Sequence, residues 1–272
     1  VGVRYERYGR GRPAIVLLPT WSLVHSRHWR MQVAYLARHF TVVCFDGRGS
    51  GGSGRPPEPA AYTDAQFASD AIAVMDAVGI ETAVLVSVSR GALWSLRLCA
   101  EHPDRVLGAV FVAPTALLMP PLAERRVQRF DEVIDAPVGW QTYNAHYWKT
   151  NYPEFVTFFA GRIFTEPHST KQIEDAIGWA LETDGETLAA ADRALECSDG
   201  SATRRLAAWL ACPVLVIHGT DDAVRGSYEG EALARCTGGA LVMLAGSGHF
   251  PHARDPVRVN LLIKQFADRF RR

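Results

Sequence analysis

Residues 82–100 read TAVLVSVSRGALWSLRLCA, an apolar run that passes through Ser87-Val88-Ser89-Arg90-Gly91 into a second apolar stretch with helical spacing. The pattern predicts a buried strand, a tight turn and a helix, with a serine at the turn. A nucleophile elbow of this kind needs small residues two before and two after the serine, because strand and helix approach closely there. Gly91 meets the second demand, and Ser87 stands where a glycine is usual. That register makes Ser89 the nucleophile. The plainer reading of Ser89 is a helix N-cap.

Outward from this segment, apolar runs recur at 3–8, 14–18, 41–45, 107–113, 213–218 and 240–244. All but the first lack a polar face, as expected of strands covered on both sides in a mostly parallel sheet. Helical patterns lie between them. Thr63-x-x-Gln66 is a capping box, with Tyr62 stapling to Phe67 and Gly79 as the stop. Ser26 is expected to cap a helix over 27–38, and Asp255-Pro256 opens the last one. Strand–helix alternation of this length implies right-handed crossovers and an α/β fold, with helices on both faces of the sheet.

From 115 to 210 the strands stop, and charged, aromatic-rich helical patterns take over. This reads as a helical lid inserted before the last two strands, dividing the core into 1–114 and 211–272. Trp140, Tyr143, Tyr147 and Trp148 fall at i, i+3, i+7 and i+8. They serve either lid-to-body packing or an apolar substrate pocket, joined from the body by Thr20, Trp21 and Trp94.

A serine hydroxyl needs a base to take its proton, and the base needs an orienting acid. Gly219-Thr220-Asp221-Asp222 follows one late strand, and Gly248-His249-Phe250-Pro251-His252 follows the next. Segments just past the ends of parallel strands share one sheet edge. Ser89 therefore meets an aspartate at 221 or 222 and a histidine at 249 or 252. The stretch 106–123 has no Asp or Glu to supply the acid from the preceding strand.

In this order the motifs resemble an α/β-hydrolase of the lid-bearing esterase, lactonase and C–C hydrolase type. The resemblance covers nearly the whole chain. It rests on Leu17-Leu18-Pro19-Thr20-Trp21 with Trp29, on Phe45-Asp46-Gly47-Arg48-Gly49-Ser50-Gly51-Gly52-Ser53, on the elbow, on Gly219-x-x-Asp222 and on Gly248-His249. It implies a Ser89, Asp222, His249 triad, with the backbone N–H groups of Trp21 and Arg90 as the oxyanion hole. Pro19-Thr20 stands where the family usually has His-Gly. The implied reaction is hydrolysis of a neutral, fairly hydrophobic ester or lactone. The same triad serves C–C hydrolysis and acyl transfer, and a non-catalytic ligand sensor is the reading from another class.

Composition excludes other classes. Among 272 residues, 29 Lys and Arg balance 29 Asp and Glu, so neither nucleic acid nor an anionic membrane is the expected partner. A small-molecule substrate is expected, and monomer and homo-oligomer are both left open. With 48% hydrophobic and 21% charged residues the chain should fold around a large core. Five widely spaced cysteines (44, 99, 197, 212 and 236) without C-x-x-C fit buried thiols in a reducing compartment, hence a cytoplasmic location. The glycines at 47–52 lack a Walker Lys-Ser/Thr and run into Pro56, Pro57 and Pro59, so no nucleotide is expected. No metal or other cofactor is expected either. The start of the chain carries no apolar signal-peptide core, and Val1 suggests processing or excision from something longer. Arg269, Arg271 and Arg272 read as a solvated basic end.

Overall fold

The computed structural model describes residues 1–194 and 200–271; Cys197 and Arg272 therefore lie outside the described residues. Seven strands form one sheet in the order β1-β3-β2-β4-β5-β6-β7. They are β1 (Tyr5–Tyr8), β2 (Ala14–Leu17), β3 (Thr41–Phe45), β4 (Ala83–Val88), β5 (Val106–Val112), β6 (Val214–Gly219) and β7 (Ala240–Leu244). Only β1 pairs antiparallel, Tyr5 opposite Phe45. The remaining pairings are parallel, so the C-terminal ends of β2 to β7 share one edge.

The helices are α1 (Arg30–Leu36), α2 (Asp64–Ala77), α3 (Gly91–Glu101), α4 (Ala145–Ile163), α5 (Thr170–Ala180), α6 (Gly185–Arg193), α7 (Ser201–Ala208), α8 (Tyr228–Thr237), α9 (Pro251–Arg254) and α10 (Pro256–Asp268). Alternation along the strands divides the core between the two sheet faces. Ile15, Leu17, Val42, Val84 and Val110 point to the side covered by α1 and α10. Val16, Val43, Leu85 and Phe111 point to the side covered by α2, α3 and α8. Burying each large aliphatic side chain in these layers contributes about 1.5–3 kcal/mol. The first layer continues without a break into α4, where Trp148, Phe155 and Phe159 are buried. The insertion between β5 and β6 is thus packed onto the body.

Two local expectations change. His25, not Ser26, precedes a 3-10 turn over Ser26–Trp29, and α1 starts only at Arg30. The Ser26 hydroxyl instead donates to Asp46 Oδ1 at 2.6 Å, a long-range partner that no local pattern reveals. β7 is an edge strand, with Ala240 and Leu241 exposed, so it is not covered on both sides. Thr63 does cap α2, accepting from the Gln66 N–H.

Candidate active site

Ser89 sits between β4 and α3 with φ +52°, a left-handed conformation that a serine adopts only under constraint. The turn is held by Ser89 N–H donating to the Val112 carbonyl, and by Thr115 N–H donating to the Ser89 carbonyl. Glycine at 91 is required, because a Cβ there would collide with the Pro19 carbonyl. The same site would be in ordinary contact with Ser87 Cβ, at 3.5 Å. That distance explains why serine is tolerated two residues before Ser89. The Ser87 hydroxyl is fully buried and, among the described residues, has no hydrogen-bond partner. Ser87→Gly is accordingly expected to keep kcat within about tenfold of wild type; a steady-state assay that finds a loss as large as that of Ser89→Ala would give Ser87 a chemical role.

Three loops at the sheet edge complete a hydrogen-bonded chain. His249 Nε2 lies 2.8 Å from Ser89 Oγ, and His249 Nδ1 lies 2.7 Å from Asp222 Oδ2. Asp222 is buried, and its Oδ1 accepts the N–H groups of Val224 and Arg225, each at 2.8 Å. His218, at the end of β6, places Nε2 3.0 Å from Asp222 Oδ2. Burial alone would raise the Asp222 pKa. The facing His249, with hydrogen bonds from His218 and His249, outweighs burial and holds the carboxyl well below the usual carboxylate range. Asp221 is exposed, and its carboxylate accepts the Thr220 hydroxyl. His252 pairs with His28 at 3.1 Å; burial first, and then repulsion from His249, lower it to about 3.

The histidine loop is clamped by the insertion. His249 N–H donates to the Ile163 carbonyl at the end of α4, and Gly248 N–H donates to Glu166 Oε1. A Cβ at Gly248 would press on Thr165 and Ile163, so this position needs glycine.

The loop 19–21 crosses the start of α3. Among the described residues, neither the Trp21 nor the Arg90 backbone N–H donates to any acceptor. Thr20 is buried, its hydroxyl is unpartnered, and it lines a small cleft beside Ser89, Trp21 and His249.

Ser89 opens into a cavity of about 630 Å³. Trp21, Tyr143 and Phe159 form its aromatic wall, with Trp21 stacked on Tyr143 at 5.4 Å. Trp148 backs this wall without lining the cavity, its ring 5.0 Å from Tyr143. Trp140 lies outside it, packed on Phe158 and Phe159 under Arg125. Tyr147 points away, its hydroxyl donating to Glu154. The four do not share one helical face, because Asn144 caps α4 and Trp140 belongs to a separate 3-10 turn. Trp94 is also outside, stacked on Phe67 at 3.8 Å with its N–H on Asp64.

The cavity includes residues that the sequence patterns do not single out. The Arg90 guanidinium pairs with Asp192 at 3.1 Å, and Asp192 also accepts the Tyr143 hydroxyl. Arg125, Gln128 and Arg225 complete the wall. Glu229 accepts N–H groups of Ala116, Leu118 and Met119, and so fixes the loop that borders the cavity. Among the described residues, no group of His, Cys, Asp and Glu is arranged to hold a metal ion.

Residues 13–256 match the family model described as the alpha/beta hydrolase fold. A 3-oxoadipate enol-lactonase 2 from Acinetobacter baylyi is 26% identical to this chain over 273 aligned positions, covering 99% of the chain and 94% of that protein. The solved enol-lactonase from Burkholderia xenovorans LB400 superposes with a TM-score of 0.79 at 25% identity, covering 97% of this chain and 95% of its own. A thermophilic esterase from Thermogutta terrifontis shares the fold with a TM-score of 0.81 at 24% identity, over 99% of this chain and 94% of its own.

Proposed function

The chain belongs to the α/β-hydrolase fold family, and from that premise we propose that this hydrolase cleaves a carboxylic ester or lactone through an acyl-enzyme on Ser89. The observation that carries the reading is the unbroken hydrogen-bonded chain from Ser89 through His249 to the buried Asp222, opening on a cavity.

Ser89 Oγ attacks the carbonyl carbon while His249 Nε2 takes its proton. The charge that develops on the carbonyl oxygen is met by the free N–H groups of Trp21 and Arg90. Asp222 fixes the imidazole tautomer and stabilises the imidazolium. As the tetrahedral adduct collapses, His249 returns the proton to the leaving alkoxide. Water, deprotonated by His249, then attacks the acyl-enzyme and frees Ser89. With a lactone, the leaving hydroxyl stays tethered to the acyl group, so product departs only after the second step. Trp21, Tyr143 and Phe159 form an apolar surface for the acyl portion. Of the four described cysteines, Cys44 and Cys99 are buried, Cys212 is half-buried and Cys236 is exposed, so the expectation of buried thiols holds for two of them.

Turnover of p-nitrophenyl butyrate and a panel of simple lactones tests the proposal. Release of p-nitrophenol or ring-opened acid, absent in Ser89→Ala, is expected. Folded protein that turns over none of them would contradict the proposal and favour a ligand-binding role.

A further inference from the structure

Among the described residues, three side chains of the cavity wall each keep a buried donor nitrogen that has no acceptor. Arg225 is 5% exposed, its Nε is buried and unpartnered, and among the described residues no ion pair or side-chain hydrogen bond compensates its charge. Arg125 gives one N–H to the Val224 carbonyl and rests on the Trp140 ring at 4.6 Å, yet its Nε is also buried and unpartnered. The Gln128 side-chain amide nitrogen is a third orphan. All three line the same cavity as Ser89.

Among the described residues the cavity lining holds Arg90, Arg125 and Arg225 against one carboxylate, Asp192. Asp192 already pairs with Arg90 and accepts from Tyr143. Among the described residues, no carboxylate forms an ion pair with Arg125 or Arg225. Burial weakens the protonated form of Arg125 and the neighbouring Arg225 repels it, and the nearby Tyr143, Asp192 and Asp222 offset this only in part. An anion between the two would relieve that repulsion and satisfy the idle N–H groups. Leaving a buried charge unpaired is costly, so a site built this way is suited to a ligand that brings the missing charge.

We infer that Arg125, Arg225 and Gln128 form a subsite for a carboxylate carried by the substrate, remote from the bond that is cut. The inference rests on the ester or lactone hydrolysis proposed above and departs from the expectation of a neutral substrate. Guanidinium forks match the planar, two-oxygen geometry of a carboxylate, and the amide of Gln128 supplies a further donor. Substrate specificity then combines an apolar wall at the acyl chain with a cationic end.

The test is a matched pair of aryl esters, p-nitrophenyl hydrogen glutarate and p-nitrophenyl methyl glutarate, which differ only in the remote carboxylate. Wild type is expected to favour the anionic ester in kcat/KM by about tenfold or more, mainly through KM. Arg225→Met, alone or with Arg125→Met, should bring the ratio close to one, with Arg225→Lys in between. The ratio does not depend on the fraction of active protein, so a partly unfolded variant still reports. A wild-type ratio of one or below, or a ratio the substitutions leave unchanged, overturns the inference while the hydrolase reading stands. If neither ester is cleaved the hydrolase reading fails, and calorimetry with glutarate decides the subsite. Binding by wild type that is lost in the double variant supports it, and absence of binding overturns it. Tighter binding of inorganic phosphate than of glutarate overturns the carboxylate assignment.

Discussion

Ser89→Ala is expected to lower kcat for p-nitrophenyl butyrate by about 10⁶-fold. The substitution removes one oxygen and leaves the scaffold intact. The turn is held by backbone bonds from Ser89 to Val112 and Thr115, and an alanine keeps both. Alanine also fits φ +52° no worse than serine. Folding is therefore expected to survive, and the loss should appear in kcat rather than in yield. Activity that remains reflects only the oxyanion donors and binding, because His249 then has no nucleophile to activate. A loss of less than about tenfold would mean that the ester is cleaved elsewhere.

Asp222→Asn ranks second, with an expected fall of about 10⁴-fold. The two oxygens of Asp222 have separate duties. Oδ1 accepts the Val224 and Arg225 N–H groups, while Oδ2 faces His249 and His218. Asparagine has one acceptor oxygen and one NH2 group. With the oxygen toward the backbone, the NH2 group faces two imidazole nitrogens and imposes the wrong tautomer on His249. With the amide reversed, the NH2 group meets two N–H donors inside a buried site. Neither orientation restores the chain. Asp221→Asn is the paired control and should cost little, since Asp221 is exposed and its carboxylate accepts the Thr220 hydroxyl. Parallel measurement of kcat for both variants checks the ranking, and the opposite order would move the acid to 221.

The sheet was legible because central strands in a parallel sheet are apolar on both faces, and the chain spells this out at 41–45, 83–88 and 214–219. The elbow was legible because close approach of strand and helix restricts 87 and 91 to small residues. Asp222 and His249 follow strands directly, so topology alone carries them to Ser89's edge. The pocket was much less so. Trp140, Tyr143, Tyr147 and Trp148 have helical spacing, but the turn before Asn144 breaks the phase, and only Tyr143 reaches the cavity. Trp94 lies on α3 directly after the elbow, yet the helix turns it toward α2. Arg125 and Gln128 come from a stretch without long helices or strands, where no period predicts direction. Arg225 lies three residues past Asp222, and only the tertiary structure reveals that its charge has no partner among the described residues.

The most direct test of the central claim is covalent. The folded protein is treated with a fluorophosphonate, digested, and the modified peptide mapped by mass spectrometry. A single adduct on Ser89 is expected, forming rapidly in wild type and far more slowly in His249→Ala. An adduct on Ser87 or any other residue, or no adduct on protein that is demonstrably folded, would contradict it.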